Sequence, residues 1–190
     1  MPDSLLNPPN LLDRAQHTVD LCKKAGADEV FAAISRSRSV DFTWRDGKLE
    51  KVKDNTSRGL VVRLFVNDRY SSHSTTDLDP TRLTSFLTEA IALTRALEPD
   101  PFRTITPPEL YAGRPQTQLE LADPQVQSLS REQRLAWCQA MDSAAHNHPK
   151  IISATAEVSD GLSQSAAASS NGFSGEHASS FCSLGTQVTL

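Results

Sequence analysis

The sequence has 190 residues, a net charge of −4, a pI near 5.7 and 38% hydrophobic against 22% charged residues, enough apolar content for a folded core and too little charge for general disorder. The arginines are dispersed among acidic neighbours such as Asp41, Asp46, Asp54 and Asp68, so there is no basic field for phosphates and direct nucleic-acid contact is not expected. Cys22, Cys138 and Cys182 form no C-x-x-C pair and read as free thiols of a reducing compartment, while Asp3, Asn7, Pro8 and Pro9 interrupt any signal-like run and no apolar stretch reaches the ~20 residues of a membrane helix; a cytoplasmic protein is expected.

In chain order, Asn10 is the expected N-cap of a first helix, with Leu11, Leu12, Ala15, Val19, Cys22 and Ala25 at helical spacing and Gly26 as its stop. Val30 to Ser35 and Ser39 to Trp44 read as strands, and Asp46-Gly47 as a type I′ hairpin turn that sets Leu49 opposite Trp44. A second hairpin joins Leu60–Val66 to Arg69–Ser74 through Asn67-Asp68, with Phe65 facing Tyr70. The expectation for this region is a four-stranded antiparallel meander. Asp77 or Asp79 then caps a helix that begins at Pro80 and carries Leu83, Phe86, Leu87, Ala90, Ile91, Thr94 and Leu97 on one stripe.

Prolines at 99, 101, 107, 108, 115 and 124 leave little backbone for regular hydrogen bonding, which suggests a linker over 99–124 between a domain at 1–98 and a second one at 125–190. Ser130 with Gln133 forms a capping-box pattern ahead of a helix with Leu135, Trp137, Cys138, Met141 and Ala145. Lys150–Ser159 and Leu162–Ser169 flank Asp160-Gly161, read as another turn, and a third run follows from His177 to Leu190. These strands are thin in large apolar residues and the last has no cap after it, so the second half is expected to be truncated and to depend on further protein, whereas residues 1–98 are expected to fold alone. The fold class is α+β: an antiparallel meander packed by helices 10–25 and 80–97, followed by a helix and the first strands of a second antiparallel, β-rich domain.

The segments Ser35–Val40, Arg45–Val52 and Ser57–Val66, followed by Ser74-Thr75-Thr76-Asp77-Leu78-Asp79-Pro80, Pro99-Asp100-Pro101 and Ser170–Gly175, resemble in order and spacing the amino-terminal part of TldD/PmbA proteins. The Ser-Thr-Thr-Asp-Leu and Pro-Asp-Pro segments look more like the PmbA side. The resemblance implies proteolysis or maturation of unfolded peptides. It also implies a zinc site, an H-E-x-x-x-H helix with a later cysteine, in the TldD-type chain, which PmbA-type chains often lack while pairing with it. The expected partners are therefore a TldD-type subunit or a second copy, with an unfolded peptide as substrate and zinc held by the TldD-type partner. The family has also been labelled a modulator of DNA gyrase, a role the acidic charge does not support as direct DNA contact.

The residues themselves offer no zinc site: His17, His73, His146, His148 and His177 never stand in a His-Glu dipeptide, and Glu176-His177 is the reverse order. His146-x-His148 points its rings to different sides of a helix end, Cys182 and His177 lie ~16 Å apart along an extended strand, and Gly172 and Gly175 precede a strand, not a phosphate-binding helix. Arg58-Gly59 and Trp44 read as a strand start and a core residue, or as a surface for peptide or partner. No catalytic, cofactor-binding or metal-ligating residue is assigned, and the segment is expected to be inactive alone. The alternative is a non-enzymatic protein-interaction domain.

Overall fold

A computed structural model describes residues 10–190 apart from 116 and 118, so the reading of Asp3 to Pro9 lies outside the described residues. Helix α1 (Leu11–Lys24) starts where expected, with the Asn10 side chain accepting from the Asp13 N–H at 3.1 Å. It ends in a Schellman motif: Gly26 N–H donates to Lys23 O and Ala27 N–H to Cys22 O, with Gly26 at φ 94°. Helix α2 (Pro80–Arg95) has Asp79 accepting from the N–H groups of Thr81 and Arg82, and Pro80 fills its first turn. The Arg95 guanidinium donates to Gly26 O at 3.1 Å, tying the two helix ends together.

Five strands form one antiparallel sheet: β1 (Glu29–Arg45), β2 (Lys48–Val66), β3 (Arg69–Thr75), β4 (Ser153–Ser169) and β5 (Ser174–Thr189), in the order β3-β2-β1-β4-β5. The β1–β2 and β2–β3 turns are as expected. Asp46 and Gly47 have φ of 46° and 80°, Asn67 and Asp68 of 49° and 58°, the paired positive angles of a type I′ turn. Trp44 faces Leu49, and Phe65 meets Tyr70 with ring centroids 5.2 Å apart.

The α+β class holds, and three expectations within it are corrected. Residues 30–35 and 39–44 are one strand of 17 residues, because the intervening 36–38 pair with β2 on one side and β4 on the other, and Arg38 adds a bidentate pair to Asp54 on β2, Nε–Oδ1 2.9 Å and Nη2–Oδ2 2.6 Å. Asp160-Gly161 is the middle of β4 and makes no turn. Asp160 is 2% exposed and accepts from Nε and Nη2 of buried Arg134 at 2.5 and 2.7 Å, while a Cβ on Gly161 would stand 2.6 Å from the Phe181 ring and 2.7 Å from Arg38 O. The turn propensity of Asp-Gly yields here to a tertiary ion pair and a close approach. Finally, β4 opens no second sheet. It pairs with β1 from Phe31↔Ser169 to Arg45↔Thr155, so the strands on either side of the 99–124 segment share a central strand.

The helices cover one face of this sheet. Alternate residues of β1 and β2, including Val30, Ile34, Leu60, Val62 and Leu64, pack with Ala168 of β4 under Ala15, Val19 and Cys22 of α1 and Leu87 and Ile91 of α2. Farther along the same strands, α4 (Arg131–Ala145) seats Cys138 against Val40, Phe42 and Val158, with Trp44, Leu49 and Trp137 at its margin. The Ser130–Gln133 capping box is formed in both directions. Burial pushes the Cys22 thiol up to about 12 and raises Cys138, as for inert core cysteines. No helix among the described residues is long and apolar enough to cross a membrane.

The proline-rich segment is laid over the other face. Asp100 N–H donates to Asp68 O, Arg69 Nε to Leu97 O, and Asn171 Nδ2 to Thr106 O at 2.8 Å, while Ile105 of the segment is itself buried. A short 3₁₀ turn (Pro108–Leu110) and a helix, α3 (Pro124–Ser128), add local structure the proline count did not suggest.

Candidate functional site

The residues weighed from the sequence are not brought together. Cys182 is exposed and sits opposite Asp160 in β5, while His177 sits opposite Ser165, so the strand holds them apart. Burial and the nearby Asp160 carboxylate raise the Cys182 thiol, the wrong direction for a nucleophile. Gly172, at φ 95°, makes the β4–β5 turn. Arg58 and Gly59 pair with Arg36 and Ser35 inside the sheet, and Trp44 packs at the edge of the α4 core.

His146 caps α4 and His148 accepts from the Lys150 N–H, so the two rings do not converge. His146 instead belongs to a clamp that sequence reasoning missed. Asp46 accepts from Ala154 N–H at 2.9 Å and from the Ser153 hydroxyl at 3.0 Å, Gly47 N–H donates to Asp142 Oδ2 at 3.1 Å, and His146 Nε2 lies 3.6 Å from Asp46. The only sequence trace was the i, i+4 spacing of Asp142 and His146. Among the described residues no group of three or more His, Cys, Asp or Glu side chains is placed to hold a metal ion.

The clamp gives a pH prediction. The Ala154 N–H, then the Ser153 hydroxyl, hold the Asp46 carboxyl below its usual value of 3.8. Because the folded pKa is depressed, its contribution to stability is present above the unfolded value and is lost as pH falls through the folded one. Asp46→Asn keeps a residue that tolerates positive φ and an oxygen for Ala154, but cannot titrate. It is expected to unfold at lower urea than wild type at pH 6, with the gap closing below about pH 4; urea midpoints that run parallel from pH 6 to acid would contradict this.

The cavity of most chemical interest lies between the sheet and the proline-rich segment. It encloses about 320 Å³, with Phe31, Phe65, Tyr70, Tyr111 and Phe173 as its aromatic lining. Its rings and guanidinium groups interlock. Tyr111 meets Phe173 edge-on at 5.2 Å, and Phe31 lies 6.3 Å from Phe173. The Cζ atoms of Arg63, Arg103 and Arg114 stand over Phe31, Tyr70 and Phe173 at 5.2, 5.1 and 4.7 Å. The wall is fixed from behind, since the Tyr111 hydroxyl donates to Asn171 O at 2.9 Å, Ser169 Oγ to Asn171 Oδ1, and Arg114 to Ser174 O. These residues come from β1, β2, β3, the proline-rich segment and the β4–β5 turn, too scattered for any sequence motif.

Comparison with known proteins decides the family. Residues 30–96 match the model for PmbA/TldA metallopeptidase domain 1, and residues 124–190 match that for the PmbA/TldA metallopeptidase central domain. The chain belongs to the PmbA/TldD family. Metalloprotease PmbA of Escherichia coli O157:H7 is 26% identical over 102 residues, which cover 54% of this chain and 23% of that protein. A Bacteroides thetaiotaomicron structure labelled a candidate modulator of DNA gyrase superposes with a TM-score of 0.88 at 28% identity, over 94% of this chain and 40% of that one. TldE from Thermococcus kodakarensis shares the fold, with a TM-score of 0.70 at 13% identity over 87% of this chain and 36% of its own. The PmbA/TldD chain described here thus spans well under half the length of these relatives.

Proposed function

We propose that this chain is the amino-terminal scaffold of a PmbA-type subunit that acts with a TldD-type metallopeptidase in proteolysis or maturation of unfolded peptides in the cytoplasm. One observation carries the reading: both family domains are matched in order, on one sheet, by a chain whose described residues include no metal-binding group. On this reading residues 1–98 and 125–190 are the first domain and the start of the second, with 99–124 between them, and zinc resides in the TldD-type partner, where it activates the water that attacks the peptide bond. The contribution of this chain is to recognise and position: an aromatic cavity, long exposed strand edges, and a helix-covered face that keeps them rigid. The net charge of −4 argues against direct contact with DNA as the route to any effect on gyrase.

Sedimentation of the chain mixed with a TldD-type subunit tests the pairing. One species containing both chains is expected, with zinc by elemental analysis in proportion to the TldD-type chain alone. Independent sedimentation of the two would favour a free-standing interaction domain.

A further inference from the structure

We propose that the cavity between β1–β3 and the proline-rich segment binds the carboxy-terminal residue of a peptide, taking an aromatic side chain between its rings and the terminal carboxylate at Arg63. This rests on the reading of the chain as a peptide-handling subunit and names the part of the peptide it handles. Three features of the cavity carry it.

The first is charge. In a chain of net charge −4, this cavity is lined by Arg63 and Arg103 and, among the described residues, by no acidic one. Arg103 approaches Asp100 at 3.7 Å, but Arg63 forms no salt bridge among the described residues and is held only by stacking on Phe31. A guanidinium oriented by an aromatic face, with its fork of donors unspent, is preorganised for a carboxylate. The second is shape. A volume of about 320 Å³ is at the small end of ligand cavities, the size for a single side chain and not for a folded surface. The edge-on and tilted rings leave π faces on which a planar group can pack.

The third feature sets direction. Across Phe173 a shallow trough of about 850 Å³ continues between Arg114, Pro115, Leu119 and Leu121 on one side and the β4–β5 strands on the other, floored by the small residues Ala33, Ala167, Gly175 and Ala178. A floor of this kind admits an extended backbone of any sequence. The trough carries Glu120 and Glu176 beside Arg114 and His177, so its charges largely offset, whereas the charged lining of the cavity beyond Phe173 is arginine alone and favours a terminal carboxylate. The polarity therefore sends the peptide's carboxy terminus into the cavity and the preceding residues along the trough.

The test is a ¹⁵N NMR titration of the 190-residue chain with the probe Ac-Ala-Ala-Ala-Phe-OH, its carboxamide, and adenosine monophosphate. Saturable shifts at the amides of Phe31, Arg63 and Phe173 are expected with the acid, with the carboxamide about tenfold weaker. Arg63 is exposed, so Arg63→Gln should keep the wild-type urea midpoint and bind the acid no better than the carboxamide. Equal binding of acid and carboxamide, no saturation by about 5 mM, an unaffected Arg63→Gln, or tighter binding of the nucleotide would each overturn the assignment. The titration needs neither zinc nor cleavage, so its failure leaves the pairing with a TldD-type subunit standing, and failure of that pairing leaves a positive titration intact.

Discussion

A fragment ending at residue 98 is expected to lose cooperative folding and to self-associate, although it contains two well-capped helices and three strands. Cutting there removes β4 from the whole run Phe31–Arg45 and exposes the central strand as an edge with unpaired N–H and C=O groups. It also removes α4, which covers Val40 and Phe42. The outer half of β2 offers no compensation, because β3 pairs only with Leu60–Val66, leaving a two-stranded ribbon of marginal stability. Near-ultraviolet circular dichroism and sedimentation of the fragment check this. A monomer with a sharp urea transition would mean that the first-domain segment carries its own complete core.

The second large effect is expected at Arg134. Its side chain is 7% exposed and that of Asp160 is 3% exposed, and the pair adds a polar link to the Cys138–Val158 packing by which α4 grips the middle of β4. Arg134 also donates to Leu129 O at 2.7 Å and lies 6.0 Å over the Phe42 ring. Arg134→Met leaves a buried carboxylate without its partner and should cost about 3–5 kcal/mol of unfolding free energy, measured by urea denaturation with linear extrapolation. Arg134→Met with Asp160→Val removes both charges and should regain most of that loss. A single variant within about 1 kcal/mol of wild type would show that the pair is not sealed from water.

Local chemistry made much of this fold legible. Asn10, Asp79 and Ser130 were readable as caps because each bonds within its own first turn, and Asp46-Gly47 and Asn67-Asp68 were readable as hairpins because their positive φ values suit so few residue types. The failures share one cause. Arg36-Ser37-Arg38 looked like a break and Asp160-Gly161 like a turn because the partners that keep them extended, Asp54 and Arg134, lie 16 and 26 residues away from Arg38 and Asp160. A far greater separation, from Arg45↔Thr155 to Phe31↔Ser169, hid the pairing of β4 with β1, which no periodicity encodes. Ala154, Ala156, Ala166 and Ala168 are all fully or nearly buried, so a strand that seemed too poor in large side chains to have a core borrows that of α1 and α4. The candidate site was illegible for a stronger reason. Phe31 and Phe173 are 142 positions apart in sequence and 6.3 Å apart in the fold, and Phe31 faces the cavity on the side of the sheet opposite the helices.

The measurement that bears most directly on the whole account is cleavage of an unfolded peptide by a TldD-type chain carrying its zinc site, with and without the PmbA/TldD-family chain described here. Cleavage is expected to require the zinc-bearing chain, to be stimulated by this one, and to be abolished by a chelator, while this chain alone leaves the peptide intact. A TldD-type chain whose rate is indifferent to its presence, or chelator-sensitive cleavage by this chain alone, would contradict the proposal that it is a non-catalytic, peptide-positioning scaffold.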